Sequence, residues 1–102
     1  MKYNQIFINY NDAIRKADEL EEIADNLTRI ANQNMEEALK SVSNNWGGEN
    51  SQIYVSKGNT LKSRIETNAN QLRKTARAIR TIAANTKRAE LRAWEIANNR
   101  TY

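Results

Sequence analysis

The chain has no proline in 102 residues, and its only double glycine lies near the middle, at Gly47-Gly48. Proline and glycine are the residues that most readily interrupt helices, so a chain this poor in them favours long unbroken helices. On both sides of the glycine pair, apolar residues recur at steps of three and four, which is the helical period. The sequence therefore predicts two long helices joined by one turn.

The first predicted helix covers about residues 9–44. Asn9 or Asn11 can cap it, and acidic residues crowd its first turns, where negative charge suits the helix dipole. Alanine recurs at every seventh position with leucine or isoleucine beside it, and such small residues let a second helix approach closely. The predicted helix–helix contacts are Ala17, Leu20, Ala24, Leu27, Ala31 and Ala38.

The turn is predicted at residues 45–50 and the second helix at about residues 51–98. Gly47 or Gly48 can adopt the left-handed conformation that ends a helix, and Asn50 or Ser51 can cap the next one. A bend or fraying is expected at Gly58, because glycine within a helix costs about 1 kcal/mol relative to alanine. The predicted contacts of this helix are Ile65, Leu72, Ala76, Ile79 and Ala83.

Charge divides unevenly between the two halves. Residues 1–50 hold five basic and nine acidic side chains, a net of −4; residues 51–102 hold eleven basic and three acidic, a net of +8, which together give the +4 of the chain. Each exposed ion pair adds only about 0–1 kcal/mol, but many pairs together disfavour other pairings of the helices. The predicted fold is therefore all-α, a single domain (residues 1–102) folded as an antiparallel two-helix hairpin. Because a lone hairpin of this length leaves much apolar surface exposed, we expect a dimer that forms a four-helix bundle.

The residue types exclude most catalytic functions. The chain contains no histidine and no cysteine, which removes the commonest general base, thiol chemistry and the commonest transition-metal ligands. The acidic residues of the first helix do not form a calcium-loop pattern. We therefore expect no enzymatic activity, no metal, no cofactor and no small-molecule ligand.

The sequence predicts neither a membrane-spanning segment nor a signal peptide. No stretch approaches the roughly twenty apolar residues that span a bilayer. The first residues lack the apolar core and the small-residue cleavage site of a signal peptide. The expected site of synthesis is the cytoplasm, and any export takes a route other than the general secretory one.

A Trp-x-Gly turn, formed by Trp46, Gly47 and Gly48, stands at the centre of this chain of about a hundred residues, and Tyr54 follows eight residues after the tryptophan. In length, helical pattern and turn, the whole chain resembles the WXG family, the small ESAT-like helical hairpins that are substrates and partners of type VII secretion systems. The resemblance implies binding without chemistry, as a homodimer or as a heterodimer with another WXG-like protein. It also implies export of the folded protein without a cleaved signal peptide, after contact with the secretion ATPase.

The C-terminal region departs from that family. Export there commonly depends on a Tyr-x-x-x-Asp/Glu element, but the best-aligned element here ends at Glu90 and has Thr86 in the tyrosine position. A second candidate, from Leu91 to Glu95, also lacks the tyrosine. The resemblance therefore implies two versions of the function. One is a secreted dimer whose export surface includes Trp46, Gly47, Gly48 and Glu90; the other is a cytosolic targeting partner of an LXG-type toxin of Gram-positive bacteria.

Aromatic residues mark two further regions of predicted contact. Trp46 either forms part of the surface that the secretion ATPase reads or packs against the end of the hairpin or a dimer groove, and packing is slightly favoured. An apolar patch near the N-terminus either extends the first helix or docks on a neighbour. Its members are Tyr3, Ile6, Phe7, Ile8 and Tyr10.

The basic face of the second helix offers an alternative from another class, a cytosolic nucleic-acid-associated protein. Basic stripes of this kind bind phosphate backbones. However, the chain has no recognised DNA-binding motif and no aromatic residues interleaved along the stripe, so a solvated face or an acidic protein partner is the favoured interpretation. The stripe consists of Arg73, Lys74, Arg77, Arg80, Lys87, Arg88 and Arg92.

Overall fold

The structure is a computed structural model and describes residues 2–99. Helix α1 is Tyr3–Arg29, a π-helical segment covers Ile30–Met35, α2 is Glu36–Asn45 and α3 is Glu49–Asn98. No strand occurs in this part of the chain. The predicted all-α class is confirmed.

The described chain divides into two compact units. The terminal unit takes in the described residues of Met1–Leu20 and Lys74–Tyr102, and the turn unit is Glu21–Arg73. Within each unit, an early helical segment packs against part of α3. As residue numbers rise along the early segment, the numbers of their contact partners on α3 fall, so the two segments of each unit are antiparallel.

Alanine forms most of the core of both units. The buried apolar residues of the terminal unit are Ile6, Ala17, Ala76 and Ala83, and those of the turn unit are Ala24, Ala31 and Ala69. Because an alanine side chain is a single methyl group, facing helices can approach closely along these rows. The larger apolar side chains are therefore displaced to the flanks of each helix contact.

Helix α1 begins at Tyr3, six residues before the predicted start at about residue 9. Its first turn has no acidic residue, and Asn9 accepts a 2.8 Å hydrogen bond from Gln5 within the helix instead of capping it. The N-terminal patch thus extends the first helix, as one of its two interpretations had it. Burial of Ile6, which is 2% exposed, anchors this extension in the terminal unit.

The π-helical segment changes which residue of α2 faces α3. A π-helix closes its hydrogen bonds from residue i to i+5 and so takes one more residue per turn than an α-helix. After Ala31 the seven-residue row therefore slips by one position. Ala38, predicted at the helix contact, is exposed, and Leu39 is half-buried in its place. The sequence prediction for Ala38 took the helix to be α-helical throughout.

Gly58 does not bend or fray the helix that contains it. Helix α3 continues through this residue from Glu49 to Asn98. A β-carbon placed on Gly58 would overlap the Cδ2 atom of Leu39 and would lie 3.2 Å from both its Cγ and its Cδ1. The glycine therefore provides the space into which Leu39 packs, and this contact compensates for its low helix propensity.

The turn is fixed by one carbonyl and one glycine. The carbonyl oxygen of Val42 accepts a 2.9 Å hydrogen bond from the Trp46 amide, which ends α2. It also accepts a 3.4 Å bond from the hydroxyl of Ser51, so Ser51 ties α3 back to α2 and does not cap α3. Gly48 has a φ of 82°, so of the two candidate glycines it is Gly48 that takes the left-handed conformation.

Replacing Gly48 by alanine should destabilise the protein by about 1–2 kcal/mol, because a β-carbon disfavours positive φ. Gly47→Ala is the matched control: neither glycine has a neighbouring atom within 4 Å of an added β-carbon, but only Gly48 has positive φ. The control should leave the stability unchanged or raise it slightly. Urea unfolding followed by circular dichroism measures both. Equal effects of the two variants would contradict the assignment of the turn to Gly48.

A leucine in the alanine row should show which residue faces α3. Ala31→Leu should lower the free energy of unfolding by about 1–3 kcal/mol, because extra carbons in a packed contact force the helices apart. Ala38→Leu, the same substitution seven residues later, should change it by less than about 0.5 kcal/mol, because Ala38 is exposed. The same unfolding measurement applies. If Ala38→Leu were the more destabilising variant, the continuous seven-residue row predicted from the sequence would be right after all.

Candidate protein-interaction surface

Ion pairs mark one side of the turn unit. The Nη2 atom of Arg73 lies 3.0 Å from Asp25 Oδ1 and donates a 2.9 Å hydrogen bond to Thr28. Farther towards the turn, Lys62 Nζ lies 3.4 Å from Glu36 Oε2. Each pair joins α3 to an earlier helix and is partly exposed, so each contributes about 0–1 kcal/mol. Together they fix which side of the unit is polar.

The other side of the turn unit is apolar. Successive residues of an α-helix are rotated by about 100°, so Ile23 and Asp25 lie on opposite flanks of the buried Ala24. On α3, Leu72 and Arg73 likewise lie on opposite flanks of the buried Ala69. The apolar side comprises Ile23, Leu27, Ile30, Leu61, Ile65 and Leu72.

Several large side chains on this apolar side are left in solvent. Ile23 is 49% exposed, Ile30 is 44% exposed and Leu61 is 52% exposed. Ile23 and Ile30 are seven residues apart and so lie in line along the helix. A row of half-exposed isoleucine and leucine without charged members is typical of a surface that a second helix covers.

The terminal unit has the same division into two sides. Arg80 Nη2 lies 2.6 Å from Asp18 Oδ1 on one side. On the other flank of α3 lies a groove of about 260 Å³ between α1 and α3. Its apolar lining is Ile6, Ala13, Ile79, Ile82 and Ala83, and its polar lining is Asn9, Tyr10, Thr86, Lys87 and Glu90. Ile82 is 64% exposed beside it.

The turn presents an aromatic pair. The rings of Trp46 and Tyr54 meet edge to face, with centroids 5.4 Å apart and an interplanar angle of 89°. Trp46 nevertheless remains 52% exposed and Tyr54 56% exposed, and Ile53 beside them is 45% exposed. The tryptophan therefore packs against its own chain and still offers half of its surface to a partner.

The predicted site residues fall in both units. Trp46, Gly47 and Gly48 belong to the turn unit, whereas Thr86 and Glu90 belong to the terminal unit, where both line the groove. Of the predicted helix contacts, Ala17, Ala24, Ala31, Ala76 and Ala83 are buried, Leu20, Leu27, Ile65, Leu72 and Ile79 are half-buried, and Ala38 is exposed.

Two buried apolar residues were missing from the predicted contacts. Ala69 is fully buried, and its seven-residue spacing from Ala76 was a signal that could have placed it among them. Ile6 was assigned only to the N-terminal patch. Its burial depends on the packing of α1 against the far end of α3, which no local pattern encodes. In the same region the ring of Tyr3 lies 4.8 Å from that of Trp94, centroid to centroid.

Part of the predicted basic stripe contacts the chain's own first helix. Arg73 and Arg80 pair with Asp25 and Asp18, as described above, and Lys87 Nζ lies 3.8 Å from the centroid of the Tyr10 ring. Three of the seven basic side chains are therefore held in contacts with α1, which weakens the stripe as a phosphate-binding surface.

Neither a metal site nor a membrane-spanning helix occurs among residues 2–99. In that range, no group of three or more acidic, histidine or cysteine residues is placed to hold a metal ion, and none of the helices is long and apolar enough to cross a membrane. Hydrogen bonds from Lys16 and then Arg15 hold the pKa of Asp12 below its ordinary value.

Searches of protein-family models, curated proteins and solved structures find no match for this chain.

Proposed function

We propose that this protein acts by protein–protein binding, as a WXG-like helical partner of a type VII secretion system that is exported as a folded dimer. The observation that carries the proposal is the Trp46-Gly47-Gly48 turn, which joins α2 to α3 and leaves the tryptophan half-exposed beside Tyr54. In this proposal the aromatic pair meets the secretion ATPase, and the apolar sides of the helices meet a second hairpin.

Exposed apolar side chains support association. In the turn unit, Ile23, Ile30, Ile53 and Leu61 are each between 44% and 52% exposed. Large apolar side chains exposed in this number on one small unit are typical of a surface that a partner covers.

The distribution of side chains indicates where such a partner packs. Complete burial of a leucine or isoleucine stabilises by about 1.5–3 kcal/mol, and Ile23, Ile30 and Leu61 are only about half buried in the single chain. Covering them recovers the remainder. The ion-paired side gains much less, since its charges would have to lose water. The apolar side is therefore the favoured interface.

Leu61→Glu should weaken self-association at least about tenfold, a change of ~1.4 kcal/mol, because it places a charge in the apolar interface. Thr67→Glu is the control, since Thr67 is exposed and lies about 120° around α3 from Leu61. Sedimentation velocity over a range of concentrations gives the dissociation constants. If both variants associate like the unchanged protein, the interface lies elsewhere. A wild-type chain that is monomeric at all concentrations would contradict the dimer itself.

Trp46→Ala should abolish export with little loss of stability, because Trp46 is half-exposed and its edge-to-face contact contributes about 0.5–1.5 kcal/mol. The measurement is the amount of the protein in the culture supernatant and in the cells of a type VII-positive host. Ile96→Ala, at an apolar residue that is 59% exposed in the terminal unit, controls for the loss of a large surface side chain. Normal export of Trp46→Ala would count against a recognition role for the turn.

The second version of the function, a targeting partner of an LXG-type toxin, is favoured by one observation. Thr86 stands where the export element has tyrosine, and Glu90 is half-buried against the groove. The same export assay separates the two versions when it is run with and without a co-expressed LXG-type toxin. The self-sufficient dimer reaches the supernatant alone, whereas the targeting partner leaves the cell only with the toxin or stays behind after delivering it.

A further inference from the structure

The π-helical segment Ile30–Met35 is the one irregularity within the early helix of the turn unit. Only Ala31 of its six residues is buried. At its end, the amide of Glu36 donates to the carbonyl of Gln33, three residues back. Single turns of π-helix inside α-helices are rare and frequently coincide with functional sites. This one separates the buried alanines of α1 from α2 and the turn.

The same sequence contains two possible registers for α2. In an unbroken α-helix, Ala38 would continue the row of Ala17, Ala24 and Ala31 and would face α3. The extra residue of the π-helical turn replaces Ala38 with Leu39 at that contact. The position that faces α3 is therefore occupied by the small Ala38 in one register and by the large Leu39 in the other.

Gly58 provides the space that Leu39 occupies in the observed register. The Leu39 side chain occupies the space that a β-carbon would fill: its Cδ2 atom would overlap that carbon, and its Cγ and Cδ1 atoms would lie 3.2 Å from it. Rotation of the leucine side chain can move Cδ2 away, but Cγ and Cδ1 would then still have to shift by a few tenths of an ångström, which disturbs the packing of Leu39 at this position. A larger residue at position 58 consequently favours the register that places Ala38 against α3.

A change of register would reach the turn, because α2 is only ten residues long. It would rotate α2 by about 100° about its axis. The Val42 carbonyl would then turn away from the Ser51 hydroxyl, which now donates a 3.4 Å hydrogen bond to it. The Trp46 ring would leave its position 5.4 Å from Tyr54.

We propose that Ile30–Met35 is a register switch, held in its π-helical form by Leu39 against Gly58, and that the register decides whether Trp46 is presented beside Tyr54. The switch itself is independent of the proposed function; only the recognition of the presented surface rests on it. Packed helix contacts change between discrete arrangements and not continuously, which makes two registers the physical alternatives. A partner that binds one register more tightly shifts the population towards it.

The test uses a single cysteine as a probe of register, since the chain has none of its own. In Ala38→Cys, the thiol is exposed in the π-helical register and faces α3 in the α-helical one. Adding Gly58→Ala, or separately Leu39→Ala, should slow its reaction with a maleimide at least about tenfold, because labelling of a protected site waits for local opening. The two additions remove the same contact from opposite sides, so Leu39→Ala decides the matter if Gly58→Ala fails to fold.

The control is Ala89→Cys, the same substitution at an exposed position of α3 in the terminal unit, where neither addition should alter labelling. A Trp94→Phe background leaves Trp46 as the sole tryptophan, and both additions should change its fluorescence as it leaves Tyr54. Unchanged labelling of Ala38→Cys in folded forms of both variants overturns the switch. Slower labelling without a change in fluorescence overturns its link to the turn. These readouts come from the purified protein, so they do not depend on whether the protein is exported.

Discussion

The close approach of helices along rows of alanine is the constraint on which the rest of this structure depends. An alanine contributes one buried methyl group, and a buried carbon contributes about 0.8 kcal/mol, whereas a fully buried leucine or isoleucine contributes about 1.5–3 kcal/mol. The turn unit buries Ala24, Ala31 and Ala69 and leaves its larger apolar residues on the flanks. The contact therefore fixes the geometry of the two helices more than it stabilises them. Most of the apolar surface that could add stability remains available to a partner.

Charge determines which flank stays apolar. The acidic first half and the basic second half attract each other along an antiparallel pair, and the contacts of Arg73 with Asp25 and of Arg80 with Asp18 realise this attraction in each unit. In the turn unit these pairs lie on one flank of the buried alanines, and the apolar side on the other flank has no charged member. Weak surface pairs thus specify orientation, and the apolar flank remains suited to hydrophobic association.

The sequence predicted the features that depend on local pattern. Apolar residues at steps of three and four predicted the helices, and the seven-residue spacing of alanine predicted most of the buried alanines. Both predictions succeed because helical periodicity can be recognised from residues that are close together in the sequence. The prediction from sequence failed where contacts between residues far apart in the chain determine the structure. Helix α1 begins at Tyr3 because Ile6 is buried within the terminal unit, and Ala38 is exposed because Leu39 packs on Gly58. Helix propensity identified Gly58 as unusual but could not reveal that a leucine from another helix fills its space. The sequence predicted most of the apolar residues that form the candidate surface. It could not predict how the surface divides into an apolar side and an ion-paired side, because that division depends on which charged residues pair.

The position of Ile30 connects the proposed interface with the proposed switch. This residue begins the π-helical segment, and it is also a half-exposed member of the apolar side. A partner helix that contacts Ile23 touches a part of the chain whose register is the same in both arrangements. If it also reaches past Ile30 to Met35 or α2, it meets side chains that differ in orientation by about 100° between the two. Such a partner has a different affinity for each register, which is the condition for binding to shift the population. Covering the apolar side and presenting Trp46 at the turn are then coupled through the ten residues of α2, without any contact between the partner and the tryptophan.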